Sequence, residues 1–258
     1  MKDKVVVITG ASAGIGAALA ERVAALGGLP VLAARREREL GEVARRCPGT
    51  PLVVVGDMAQ RADAERVAAA ARGRHGHIDV WVNNVGRGIT RLPSELTDED
   101  IDEMMRVNVK SALYGVQAVL PHFKQRGSGQ IINVSSVLGR VPFALARSAY
   151  SASKHFLNSL TANLRMELRA SHPGIHVTLV SPGVVATDFG LNALHGGADS
   201  RAFSNSQTAA AVAEVICEAI VHPCADVYTR PAFRQQVVGY YSAEDLGAVE
   251  QKPPFAPR

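Results

Sequence analysis

Tyr150 and Lys154, one helical turn apart in Tyr150-Ser151-Ala152-Ser153-Lys154, are the pair best suited to chemistry in this sequence. Their spacing predicts that both project from one face of a helix. A phenol ordinarily ionises near pH 10, and a neighbouring ammonium favours its phenolate. Such a tyrosine can give a proton to a carbonyl oxygen, or take one from an alcohol, while a hydride moves at the carbon. Ser136 lies 14 residues upstream at the predicted end of a strand, where its hydroxyl can hydrogen-bond the same oxygen. Taken singly, each of these residues also suits an exposed helix or a strand end with no role.

A hydride needs a carrier. The first strand-like run, residues 5–8, leads into Thr9-Gly10-Ala11-Ser12-Ala13-Gly14-Ile15-Gly16 and then a helix. Three glycines at a strand-to-helix turn let a pyrophosphate approach the backbone, and the free N–H groups of the first helical turn point at the anion. The spacing Gly-x3-Gly-x-Gly differs from Gly-x-Gly-x2-Gly, and either alone also describes an ordinary tight turn. Its position, one βαβ unit before the end of a second strand, supports dinucleotide binding. That second strand ends Leu32-Ala33-Ala34-Arg35-Arg36, without the carboxylate that an NAD-selective site sets against the ribose hydroxyls. A guanidinium suits a 2′-phosphate, so Arg35, with Arg36 beside it, points to NADP(H). A cation at a helix start opposes the helix dipole, which implies another interaction that favours it. Ser12 can add a hydrogen bond to the phosphate, whereas Ala13 brings no second cation to the loop.

These groups need a scaffold. Apolar, β-branched runs at 5–8, 30–33, 52–55, 80–82, 131–134, 176–180 and 226–229 alternate with helical stretches. The alternation predicts a doubly wound, Rossmann-like α/β fold, its predominantly parallel seven-stranded sheet flanked by helices on both faces. Alanine-rich helices over 17–26 and 62–71 combine high helix propensity with close packing on a sheet. Thr97 before Asp98, Glu99 and Asp100 predicts an N-cap with acidic residues in the first turn, and a helix running toward Asn108. No repeat or low-complexity linker divides the chain. Residues 1–258 therefore read as one dinucleotide-binding and catalytic domain, with a mobile segment over about 189–206 and a C-terminal tail over about 231–258.

With 258 residues, 47% of them apolar, the chain can bury a large core. Its apolar runs are far shorter than the roughly 20 residues of a membrane span. Met1-Lys2-Asp3-Lys4 passes directly into a strand without a secretory h-region, so a cytoplasmic protein is expected. Cys47, Cys217 and Cys224 are odd in number and far apart, which predicts neither a disulfide framework nor a zinc site. Cys217 reads as a small buried hydrophobe. The net charge of +4 is scattered, so neither nucleic acid nor membrane is an expected partner.

Thr-Gly-x3-Gly-x-Gly, Asn83-Asn84-Val85-Gly86, Asn108, Ser136, Tyr150-x3-Lys154 and Pro182-Gly183 together resemble the classical short-chain dehydrogenase/reductase family in order and spacing, over roughly residues 4 to 230. The resemblance implies that Tyr150 is the acid/base and that Ser136 binds the substrate oxygen. It gives Lys154 the nicotinamide ribose hydroxyls and the lowering of the phenol pKa. Asn108 falls at the family's helix irregularity, whose freed carbonyl holds a water in a proton path. Gly10, Ser12, Gly14, Ile15 and Gly16 match the pyrophosphate loop. Asp57 and Met58 match the adenine end, and Asn83 to Gly86 the adenosine side, with Asn84 mainly stabilising the sheet. Pro182, Gly183, Val185 and Thr187 are similar to the segment that contacts the nicotinamide carboxamide. Two departures stand out: Val85 replaces the usual alanine, and the interval from Ser136 to Tyr150 is one residue longer than the commonest spacing, which changes the loop over 138–147.

The residues expected around the substrate, Val137, Leu138, Phe143, Leu145, Val184, Phe189, Leu191 and Leu194, predict a hydrophobic ketone, aldehyde or secondary alcohol. Arg147 and His195 can recognise a polar or acidic end, although a histidine in a glycine-rich loop is more often simply exposed. Gly190, Gly196 and Gly197 mark a lid. The resemblance implies a homodimer or homotetramer; Ala149, Ala152 and Ala162 fit close helix pairing, or equally inward packing. The alternative is a non-enzymatic NADP(H)-binding regulator on the same fold, against which the complete tetrad argues. Dehydratase and epimerase relatives carry longer substrate domains than this chain has room for.

Overall fold

The computed structural model describes residues 1–251; the proline-rich end over 252–258 lies outside the described residues. Runs rich in β-branched side chains form β1 (Val5–Thr9), β2 (Leu29–Ala34), β3 (Leu52–Val55), β4 (Val80–Asn83), β5 (Gly129–Val134), β6 (Ile175–Ser181) and β7 (Asp226–Tyr228). All pair in parallel in the order β3-β2-β1-β4-β5-β6-β7. Chain order reverses between β1 and β4, so a crevice opens at the carboxyl ends of these strands.

Alternate residues of each strand serve opposite cores. Val6 and Ile8 of β1 pack with Leu19, Leu40 and Ile216 on one face, under α1 (Gly14–Ala25), α2 (Glu37–Arg46) and α7 (Ala209–Val221). Val5 and Val7 pack with Trp81, Phe123 and Leu168 on the other, under α3 (Arg61–His75), α5 (Ser111–Arg126) and α6 (Ser148–Ser171). Each fully buried valine or isoleucine contributes about 1.5–3 kcal/mol, which fixes the sheet that carries the site. Cys217 is buried in the first core, as its apolar neighbours predict.

Thr97 caps α4 (Asp98–Met105) through a reciprocal pair: its hydroxyl accepts from Asp100 N at 3.3 Å, and the Asp100 carboxylate accepts from Thr97 N at 3.2 Å. The helix does not run on regularly toward Asn108, because a π-helical turn, Arg106–Lys110, intervenes before α5.

The C-terminal region differs from the expected tail over its described part. Residues 231–250 form α8 (Pro231–Tyr241) and α9 (Leu246–Glu250), and Phe233 and Tyr240 are buried against Val137, Val141 and Phe143. Pro231 at the first helical position was a usable start signal. Across the sheet top, the glycine-rich segment is stitched to residues 88–90: Leu194 N donates to Gly88 O at 2.8 Å and Thr90 N to Leu194 O at 3.0 Å.

Candidate active site

The turn after β1 is built around its glycines. Gly10 and Gly14 are left-handed, with φ of +67° and +56°. A Cβ on Gly16 would run into the Gly10 carbonyl and come within 2.7 Å of Asn84 Nδ2. Asn84 closes this turn onto the sheet, donating through Nδ2 to Thr9 O at 3.1 Å and through its backbone N–H to Thr9 Oγ1 at 3.0 Å. Ile15 is half-buried against the first core and Val85 against the second. At the end of β2, Arg36 reaches the turn, donating to Ser12 Oγ from Nη2 at 3.0 Å and Nε at 3.3 Å. Arg35, singled out by the sequence, is exposed beside it, and its neighbour makes the contact.

At the end of β3, Asp57 pairs with Arg106 at 3.3 Å and accepts from Ala59 N at 3.0 Å. Met58, expected beside the adenine, turns its side chain into the second core. A thioether next to Val54 and Val67 is more stable there than in water.

The four candidate catalytic residues converge where β5 meets α6. Asn108, fully buried in the π turn, accepts from Arg87 N at 2.8 Å and donates to Arg87 O at 3.0 Å and Ser153 Oγ at 3.1 Å. It thereby fixes the strand end at Gly86, where a Cβ would lie 3.4 Å from Asn108 Oδ1 and 3.5 Å from Lys154 Nζ. Lys154 Nζ donates to Val134 O at 3.0 Å, and burial pushes the ammonium down to about 8. Its nitrogen is 5.8 Å from the centre of the Tyr150 ring.

Burial pushes the Tyr150 phenol up to about 12, opposed by a hydrogen bond from Ser136 and the charge of Arg147. Ser136 Oγ also accepts from Leu138 N at 3.1 Å. Ser135 is spent elsewhere, on Asn158 Oδ1 at 2.5 Å, which distinguishes the two adjacent serines.

Beyond β6, Pro182 O accepts from Val137 N at 2.8 Å, and Gly183 lies where any Cβ would strike the Phe233 ring. Val185 bridges to Gln207, and Val184 O accepts from Gln207 N at 2.8 Å. Thr187 faces the glycine turn, its methyl 3.2 Å from the Cβ position of Gly14. A cleft of about 340 Å³ lies between this segment and α1, lined by Gly14, Ala17, Thr187 and Arg201 among others. Phe189 sets its edge against Tyr150 at 5.5 Å between ring centres, and Leu138 and Leu194 join the same apolar cluster.

Phe143 does not belong to that cluster. It is buried and packs edge-on to Tyr240 at 5.3 Å, supporting the wall from behind, because α8 supplies an apolar partner that a tail would not. Leu145 and Leu191 are exposed. His195 is not a free surface histidine: its Nε2 lies 2.7 Å from Asp100 Oδ1, and Arg91 holds the other oxygen at 2.9 Å. The hydrogen bond from His195, helped by Thr97 N and Arg91, draws the Asp100 carboxyl down to about 2. Sequence reading missed this latch and a second tie. Arg87 joins Asn192 O at 3.3 Å to Glu103 at 3.2 Å, and Glu103 pairs with Arg106 at 2.8 Å.

A glycine turn, a parallel sheet and a buried Ser-Tyr-Lys-Asn group define a class, and the comparisons agree. A family model described as short chain dehydrogenase matches residues 4–195. An uncharacterized oxidoreductase of Staphylococcus epidermidis is 36% identical over 196 residues, covering 74% of this chain and 84% of that protein. A short-chain dehydrogenase/reductase from Burkholderia phymatum, solved in complex with NAD, superposes with a TM-score of 0.86 at 27% identity, covering 100% of this chain and 98% of the other. A short-chain dehydrogenase from Streptomyces avermitilis gives a TM-score of 0.82 at 28% identity, covering 97% of both chains. The chain belongs to the short-chain dehydrogenase/reductase family, a family of nicotinamide-dependent oxidoreductases.

Proposed function

We propose that the protein is an NADP(H)-dependent oxidoreductase that interconverts a hydrophobic carbonyl compound and its alcohol. The observation that carries this reading is the meeting of the Tyr150 phenol, the Ser136 hydroxyl and the Lys154 ammonium at the strand ends beside Gly86. The residues present fit a dinucleotide. Gly10, Gly14 and Gly16 leave the backbone open where side chains would intrude, and Lys154 uses one of its three N–H donors on Val134 O. The bound dinucleotide supplies or accepts the hydride.

The chain's own residues supply the rest. A phenol held near 12 is protonated at neutral pH, so in the reducing direction Tyr150 gives its proton to the substrate oxygen. Ser136 orients that oxygen, and Lys154 holds the ribose hydroxyls. Asp57, Asn84, Val85 and Gly86 form the adenosine side, and Pro182, Gly183, Val185 and Thr187 the nicotinamide side. Leu138, Val184 and Phe189 face the substrate.

NADP(H) rather than NAD(H) is supported by the two guanidiniums at the end of β2, one already on Ser12, and by the absence of a carboxylate at 35 or 36. Replacing Tyr150 by Phe removes the proton donor and leaves the packing. We expect kcat for a responsive carbonyl to fall by about 10²- to 10⁴-fold with NADPH binding retained. Unchanged turnover in that variant contradicts the mechanism.

A cytoplasmic location belongs to the same proposal and is supported by three free cysteines, two of them buried. Self-association along α6 is supported by an exposed row of Ala152, Phe156 and Met166, while Ala149 packs inward. Light scattering in solution distinguishes a dimer or tetramer from a monomer.

A further inference from the structure

Around the segment over 186–201, three guanidiniums have carboxylate partners. Arg87 has Glu103, Arg91 has Asp100, and Arg201 has Asp188 and Asp199. Arg147 is the exception. Its guanidinium makes no hydrogen bond or ion pair among the described residues, yet it is largely shielded from water and stands at the N-cap of α6, where the helix dipole opposes a cation. Among the described residues no carboxylate offsets either cost.

Two glycines make room for this group. Nη1 occupies the space a Cβ on Gly88 would need, next to Phe189 Cε1, itself 3.1 Å from the same point. Nη2 lies 3.0 Å from the Cβ position of Gly197, and Thr90 Oγ1 lies 2.9 Å from it. Thr90 Oγ1 is buried and has no hydrogen-bond partner. A hydroxyl and a planar fork of donors therefore share one small space, between two glycines and next to the apolar cluster of Phe189, Leu138 and Leu194. The Arg147 charge acts on Tyr150, so this space adjoins the reacting centre.

We propose that Arg147, with Thr90, is the recognition site for a carboxylate on the substrate, making the preferred substrates apolar oxo acids or hydroxy acids rather than neutral carbonyl compounds. This rests on the reading of the Tyr150, Ser136 and Lys154 centre as the site of carbonyl chemistry. The latch between His195 and Asp100 leaves Arg147 as the available cation, and a bidentate carboxylate would satisfy its fork while the apolar stem lies on Phe189 and Leu194.

Calorimetric titration of the full-length protein with octanoate and with octanamide tests the assignment without requiring turnover. The wild type is expected to bind octanoate about tenfold or more tightly than octanamide. R147M should bring the two affinities within about twofold, and R147K should retain part of the preference. Equal affinities in the wild type, or a preference that survives in a folded R147M, overturn the proposal. R147K serves if R147M fails to fold: undiminished selectivity for octanoate in R147K would also count against the bidentate role. Turnover of an aliphatic oxo acid and of its methyl ester with NADPH separates the two levels. If neither is reduced, the carbonyl reading fails while the titration still decides the anion site; if both are reduced equally, only the anion site fails.

Discussion

On one side of the cleft, the glycine turn between β1 and α1 is held by backbone geometry and close packing: two left-handed glycines, a third with no room for a Cβ, and an asparagine that hydrogen-bonds the strand end. On the other, the segment over 186–201 adds to its backbone ties two side-chain links to distant parts of the sequence, His195 to Asp100 and Arg87 to Asn192 O, and one within itself, Arg201 to Asp188. A dinucleotide presents the same phosphates to every enzyme that binds it, so a rigid backbone cradle suffices. In the proposed reading the segment walls the substrate, and exchangeable polar ties suit a wall that opens and fits one molecule.

The sharpest way to break the contrast is Gly16→Ala. One methyl group against the Gly10 carbonyl and Asn84 should cost about 1–3 kcal/mol and distort the turn, with dinucleotide affinity falling by about tenfold or more. Fluorescence titration with NADPH and a melting curve check both. An unaffected variant would mean that the cradle is not the rigid half.

Lys154→Met probes the cost of the catalytic centre itself. Burial lowers the ammonium from 10.5 to about 8, so the folded state is penalised whenever the lysine is charged. The penalty is full below pH 8. As pH rises from 8 to 10.5 the unfolded chain binds more protons than the folded one, and wild-type stability climbs. We expect the methionine variant to be inactive yet about 1–3 kcal/mol more stable at pH 7, with the gap closing toward pH 10.5 in denaturant titrations.

His195→Ala should have the smallest effect. Loss of the latch frees the wall and leaves Tyr150, Ser136 and Lys154 in place, so KM should rise by a few fold with kcat within about twofold. Because Asp100 titrates near 2, the carboxylate half of the latch is intact above pH 4 and is lost as pH falls through 2. A large fall in kcat instead would show that the latch positions the reacting groups.

The same contrast explains what could be read without a structure. The seven strands, the Thr97 cap, the glycine turn and the Tyr150–Lys154 turn all rest on local periodicity or short spacing, and each is visible along the chain. The His195–Asp100 pair spans 95 residues and leaves no periodic trace. Phe143 is expected at the pocket as an apolar residue near a motif and Met58 at the adenine end by the family resemblance, but both side chains are buried in the cores. Arg36, rather than Arg35, reaches Ser12 because the end of β2 alternates side-chain direction, and a one-residue choice of face is the least legible feature of a strand end.

The central claim is tested most directly by steady-state reduction of one responsive carbonyl with NADPH and with NADH in parallel, for the wild type and for Arg35→Ala combined with Arg36→Ala. The wild type is expected to show a higher kcat/KM with NADPH, by about tenfold or more, and the double variant to lose it through a raised KM for NADPH alone. A wild type that prefers NADH, or a double variant that keeps its NADPH preference, contradicts that claim.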